Sequence, residues 1–208
     1  MTTEIDHLII AADTLEAGVA WCETTLGVTP GPGGQHPLMG THNRLLNLSS
    51  PAFPRCYLEV IAIDPEAPAP GRARWFGLDE RPPGSPALWH AVARSTMLDM
   101  HRWGLIHKQA DPGLPLDMVR GEYRWQVLVR PDGRRLGVLP SLIQWQGPHP
   151  AERLPASGLA LRSLRLDGLP VPHRDVLRLK GVTGEPASAP RMTVELHTPR
   201  GGVTLQTA

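Results

Sequence analysis

The sequence predicts an α+β fold built from two copies of a strand–helix–strand–strand–strand (βαβββ) module. Three observations predict it. Short apolar runs of strand length alternate with helix-start signatures. The order of elements in residues 5–63 returns in residues 88–145. In both copies a histidine lies inside the first strand and a helix-start residue follows six positions later, His7 to Asp13 and His90 to Thr96. Agreement in both order and register marks an internal repeat.

The first copy opens with Ile5–Ala11, an apolar run suited to a strand buried on both faces. Asp13 with Glu16 three residues on is a helix-start signature. Leu15, Val19, Cys22 and Leu26 then recur at helical spacing, and Gly27 is placed to close the helix. Gly31–Gly34 reads as a loop and His36–Met39 as a weak strand. Asn43–Leu48 and Tyr57–Ile63 are the next strands, joined by Ser-Pro-Ala-Phe-Pro. Tyr57–Ile63 is apolar except for Glu59 at its centre. A carboxylate there is costly to bury without a partner, a proton or a metal.

Residues 66–86, rich in Pro, Gly and Arg, read as a connection between residues 1–65 and 87–150. In the second copy, Leu88–Arg94 is a strand, Thr96 and Asp99 open a helix through Leu105, and Tyr123–Arg130, Leu136–Leu139 and Ser141–Trp145 are strands. Residues 151–208 read as a C-terminal partial βαββ unit. Leu159–Leu166 alternates like a strand, His173–Gly181 suits a short helix, and Met192–His197 with Val203–Gln206 suits a hairpin. An unrelated extension packed on the sheet is the alternative.

Composition narrows the function classes. The net charge of +1 and the lack of any Lys/Arg run leave no footprint for nucleic acid. No apolar run reaches membrane-spanning length and the N-terminus lacks a leader pattern, so a cytoplasmic location is expected. Cys22 and Cys56 fit no metal or redox spacing and are expected to be reduced core residues. No phosphate-binding glycine loop appears, so no nucleotide cofactor is expected. The six tryptophans are scattered and read as packing residues.

Paired βαβββ modules, with His7 on the first strand and Glu59 on the last strand of the first, resemble the vicinal-oxygen-chelate superfamily. That group includes glyoxalase I, extradiol dioxygenases and antibiotic-resistance proteins of the fosfomycin and bleomycin types. Asp6-His7-Leu8-Ile9, Gly34-Gln35-His36-Pro37 through Gly40-Thr41-His42-Asn43, and Tyr57-Leu58-Glu59-Val60-Ile61-Ala62 are more closely similar to the bacterial glyoxalase-like domain family. Leu139–Trp145 also fits, and the resemblance spans residues 4–150.

The resemblance implies a curved mixed sheet around a cleft, a small-molecule ligand and a homodimer. It also implies a divalent metal (Zn, Fe, Ni, Co or Mn) on His7, Glu59 and His90. Imidazole and carboxylate suit such ions, which can polarise a carbonyl. Counting along the last strand puts the fourth ligand position at Gln144, which supplies no charge. Other readings stay open: His7 and His90 as packed core histidines, and Glu59 paired with an arginine such as Arg94. His36, Thr41 and Asn43 form a second cluster, with Asn47 on the same strand face as Asn43. They suit a pocket mouth with His36 as acid or base, or a loop bonded to its own backbone. Arg94 suits an anionic group of the ligand. The implied function is a glyoxalase-like enzyme of lyase, isomerase or dioxygenase type. The alternative is a ligand-sequestering protein with a degenerate metal site.

Overall fold

A computed structural model describes residues 2–207. The first copy comprises β1 (Glu4–Ala11), α1 (Leu15–Trp21) with a π-helical turn Cys22–Leu26, β2 (Gly31–His36), β3 (Thr41–Asn47) and β4 (Tyr57–Ile63). The second comprises β5 (Ala87–Arg94), α2 (Leu98–His107), β6 (Leu114–Arg120), β7 (Tyr123–Val129) and β8 (Ser141–Gln146). Both copies share one curled eight-stranded sheet, ordered β2-β3-β4-β1-β5-β8-β7-β6. In each copy the first strand runs parallel to the last, and β1 and β5 pair antiparallel at the centre. The repeat is thus symmetric in pairing as well as in order.

Several local expectations shift. Gly31–Gly34 is part of β2 rather than a loop, and Pro37–Gly40 is a turn. Gly33 makes this pairing close: a Cβ there would lie 1.9 Å from the Asn43 carbonyl oxygen. Leu136–Leu139 is a single bridge, not a strand. The missing fourth strand of the second copy is instead Leu114–Arg120, second in chain order and an edge strand that tolerates Pro115. Thr14, not Asp13, caps α1 by accepting from the Ala17 N–H, while Asp13 pairs with Arg81. Gly27 ends the following π-turn in the left-handed conformation, φ 75°, as its position suggested.

Residues 151–208 contain α3 (Pro150–Arg153, which begins one residue earlier), β9 (Ala160–Asp167), α4 (Val171–Leu177), β10 (Val182–Thr183), β11 (Arg191–Thr198) and β12 (Gly201–Gln206). The hairpin β11–β12 stands where it was expected. These strands form a separate sheet ordered β10-β9-β11-β12, in which β9 pairs with β11 rather than with the last strand. The unit echoes the element order of the modules but not their pairing.

Strand alternation sorts the core. Leu8, Ile10, Leu58 and Val60 face α1, α2 and the C-terminal sheet in one continuous cluster. Cys22 and Cys56 are buried there as free thiols. Ile9, Ile61, Val92, Val127 and Ile143 face the other way, into the curl of the sheet, with Trp75 and Phe76 from the connection packed against them. This second face holds the cleft.

Candidate active site

Register places the central pair. In the parallel β1–β4 ladder, His7 lies opposite Tyr57 and Ile9 opposite Glu59. His7 and Glu59 therefore sit one step apart on the cleft side, and His7 Nε2 lies 3.3 Å from Glu59 Oε2. The other ring nitrogen, Nδ1, lies 2.7 Å from Asp6 Oδ1. Neighbours on a regular strand point to opposite faces, but the β1–β5 register shifts between Ile5 and His7. Such irregularities re-aim side chains, and here they let Asp6 and His7 meet. Asp6 also accepts from Trp145 Nε1 at 2.9 Å and lies 2.9 Å from His149 Nε2. Tyr57 stacks on His7 with ring centroids 4.6 Å apart.

Asn43 extends the network. Its Oδ1 accepts from the Gly34 N–H at 2.9 Å, which orients the amide, and its Nδ2 donates to Glu59 Oε1 at 2.6 Å. His36 Nε2 faces two donors, Asn43 Nδ2 at 3.5 Å and Arg120 Nη1 at 3.4 Å. Donors on that side leave Nε2 as the acceptor and assign the ring proton to Nδ1, which donates to Thr41 Oγ1 at 3.1 Å. Opposite this polar group stand Trp75, Phe76, Val92, Trp125, Val127, Ile143 and Trp145. Together they line one narrow cleft. Three of the six tryptophans, read above as packing residues, therefore line it.

Burial and pairing divide the charges. Burial alone would lower the His7 pKa, but Asp6 and Glu59 raise it to about 9. Burial opposes ionisation of Glu59, yet His7, with His36 and Asn43 behind it, holds its pKa at about 2. Asp6 is likewise held low against burial by His149 and His7. Burial dominates at His36, with Arg120 and His7 adding to it against the pull of Glu59, and lowers its pKa to about 4. Near neutral pH, then, His7 is a cation between two carboxylates and His36 is neutral.

The second copy has lost this polarity. Val92 of β5 lies opposite Ser141 of β8 just as Ile9 lies opposite Glu59, so the register twin of Glu59 is Ser141. The expected twin, Gln144, instead accepts from the Leu98 N–H at 2.9 Å and caps α2. By the same registers Asn43 corresponds to Val127, Thr41 to Trp125 and His36 to Met118. His90 bonds to Ser141, with Nε2 2.9 Å from Oγ and accepting from the backbone N–H at 3.2 Å. Its ring packs on Phe76, and burial, then Arg135 and His7, lower its pKa to about 3.

The expected ligand set is therefore only half assembled. His7 and Glu59 meet, but both nitrogens of His7 already face carboxylates and Nε2 of His90 is taken by Ser141. Among the described residues no three His, Cys, Asp or Glu side chains gather around a common point for a metal. His7 and Glu59 are thus two convergent donors with no third beside them among the described residues, which does not complete a divalent-ion site. Two other expected site residues lie outside the cleft. Arg94 pairs with Glu4 and donates to the carbonyls of Ile5, Pro54 and Arg55. Asn47 donates to the carbonyls of Ala151 and Leu154, pinning α3 to β3. Arg120, Asp6, Tyr57 and Trp145 belong to the site without having been expected there.

This fold, with its two paired modules and inward-facing His7 and Glu59, can be compared with known proteins. The family model described as a glyoxalase-like domain matches residues 5–173. The chain belongs to the glyoxalase-like domain family. It thereby falls within the vicinal-oxygen-chelate superfamily, whose members commonly use divalent metals. No curated protein matches this glyoxalase-like protein. A hypothetical protein from Staphylococcus aureus is similar in structure, with a TM-score of 0.54 at 15% identity, covering 80% of this chain and 70% of that one. A methylmalonyl-CoA epimerase from Streptomyces coelicolor aligns with a TM-score of 0.46 at 19% identity, over 71% of this chain and 100% of that one. At 15% identity the likeness to the Staphylococcus aureus protein speaks for the fold alone. No helix of the glyoxalase-like protein, among its described residues, is long and apolar enough to cross a membrane.

Proposed function

We propose that this protein is a small-molecule enzyme that moves a proton at a carbon next to a carbonyl group, in the manner of an isomerase or lyase. One observation carries the reading: Glu59 and His7 stand 3.3 Å apart in a cleft whose opposite wall is apolar and aromatic. In such a site a carboxylate accepts a proton from carbon and the imidazolium beside it returns one. Asp6 holds Nδ1 of His7, which aims the Nε2 proton at Glu59 and the cleft. Asn43 holds the other Glu59 oxygen and limits rotation of the carboxylate. The apolar wall excludes water and strengthens each of these interactions.

The test is deuterium exchange. Phenylpyruvate carries a ketone, an exchangeable neighbouring carbon and a flat ring. Wild-type protein in D₂O is expected to speed its exchange at that carbon, followed by proton NMR, and Glu59→Gln is expected to abolish the acceleration. Exchange no faster than in buffer overturns the enzymatic reading for this probe. The low proton affinity of Glu59 favours a second reading, in which the cleft binds its ligand without turnover. Saturable binding without exchange, for any enolisable ligand found, decides for it.

A further inference from the structure

Arg120 has no part in the proton transfer just described, yet it occupies the mouth of the cleft. It stands at the end of the edge strand β6 and reaches across to the opposite edge, where β2 and β3 carry His36 and Asn43. Its Nη1 lies 3.4 Å from His36 Nε2 and 3.3 Å from Asn43 Oδ1, both long contacts to neutral atoms. Among the described residues no carboxylate lies within 4.0 Å of its guanidinium, whereas Arg74, Arg81, Arg94 and Arg130 each hold one. The opposite edge makes room for it. A Cβ at Gly34 would lie 2.8 Å from Arg120 Cδ and 2.9 Å from Nη1. The cleft that Arg120 lines also has Trp125, Val127, Ile143 and Trp145 in its wall.

A half-buried guanidinium facing an apolar wall without a counter-ion is an open electrostatic position. Its planar fork matches a carboxylate with two parallel hydrogen bonds. One cation fits one negative charge, and the nearby carboxylate of Glu59 disfavours a second. The loss of polarity in the second copy sets the rest of the ligand, because Met118, Trp125 and Val127 stand where His36, Thr41 and Asn43 stand in the first.

We propose that Arg120 is the anion receptor of this cleft and that the substrate class is a compact monocarboxylate with a flat apolar body. The carboxylate lies on Arg120 and the body against Trp125 and Trp145. This rests on the reading of the cleft as a small-molecule site. Gly34 acts as a positioning residue, since its missing side chain lets the arginine span the mouth.

Two probes of nearly equal shape test it: phenylpyruvate, an anion, and phenylacetone, which lacks the carboxylate. Binding is read by titration calorimetry and by tryptophan fluorescence. Wild type is expected to bind phenylpyruvate saturably and to prefer it to phenylacetone. Arg120→Gln is expected to weaken phenylpyruvate by about tenfold to a hundredfold, the worth of a charged hydrogen-bonding partner, and to leave phenylacetone unchanged. Gly34→Ala, which keeps the charge but displaces it, is expected to move affinity the same way by less. Equal binding of both probes by wild type, no saturable binding of phenylpyruvate, or an unchanged Arg120→Gln affinity would each overturn the proposal. The wild-type comparison needs no variant to fold. Binding that discriminates charge without deuterium exchange would sink the proton-transfer reading and leave the carboxylate site standing. Exchange with equal binding of both probes would do the reverse.

Discussion

Ser141 stands to His90 as Glu59 stands to His7. The two histidines occupy matching positions on β1 and β5, and the strands parallel to them bring Glu59 to 3.3 Å from one and Ser141 Oγ to 2.9 Å from the other. The same backbone geometry thus carries an ion pair in one copy and a neutral hydrogen bond in the other. The consequences for pH, packing and mutation differ accordingly.

Stability should peak near pH 6.5. His7 is raised from 6.5 to about 9, so its contribution is complete below pH 6.5 and is lost as pH rises through about 9. Glu59 is lowered from 4.5 to about 2, so its contribution is present above pH 4.5 and is lost as pH falls through about 2. His36 and His90 are lowered from 6.5 to about 4 and about 3, so the unfolded chain takes up protons first and stability falls from pH 6.5 downward. Urea midpoints measured from pH 3 to pH 10 should trace this dome; a flat profile between pH 4 and pH 9 would contradict it.

Asp6→Asn should be costly although Asp6 touches no solvent. Asp6 joins His7, His149 and Trp145, which belong to β1, the start of α3 and β8. Removing its charge leaves a buried imidazolium with Glu59 alone, and a loss of about 3 kcal/mol is expected in urea unfolding. The His7 titration, followed by NMR, should move down from about 9. An unmoved titration would show that Glu59 alone sets it.

Phe76→Ala tests the cause of the His90 shift. The ring packs between Trp75, at 5.2 Å, and His90, at 5.5 Å. Its loss should cost about 3–5 kcal/mol, as for other buried aromatic truncations. Water reaching His90 should raise its titration from about 3 toward the usual histidine range. No change would mean that Arg135 and His7, rather than burial, govern it.

Gly33→Ala should be worse than Gly34→Ala. The new Cβ at 33 meets backbone, the Asn43 carbonyl at 1.9 Å, whereas at 34 it meets the movable end of Arg120 at 2.8 Å. Thermal denaturation should show a drop of many degrees for the first and a small one for the second. Comparable midpoints would show that β2 shifts without cost.

Divalent-ion content of untagged protein offers a further check. With His7 held by Asp6 and Glu59, and His90 by Ser141, substoichiometric metal is expected. A stoichiometric ion lost in His7→Ala would show that the pair opens to admit other ligands.

Much of the site was legible where one residue broke a local pattern. Glu59 interrupts an apolar strand and so demanded a partner, and the resemblance set it with His7 in one expected metal site. Legibility failed where a count depended on register. The count to Gln144 ran along Ser141–Trp145 without knowing where that strand meets β5, and the pairing of Val92 with Ser141 moves the twin to Ser141. Arg120 stayed hidden because Leu114–Arg120 contains Pro115 and Asp117 and does not alternate cleanly; only pairing with β7 makes it a strand. Asp6 was hidden for the opposite reason. Period two sends it away from His7, and the irregularity in β1 brings it back.

The sequence by itself determined the two-module plan, the positions of α1 and α2, and that Glu59 would be expensive to bury. Those follow from preferences that act over a few neighbouring positions. Only the tertiary structure decided that Glu59 answers to His7, that Ser141 and not Gln144 is its twin, and that Arg120 crosses to His36 from 84 positions away. Strand register governs all three, and a slip of one residue turns every side chain to the other face.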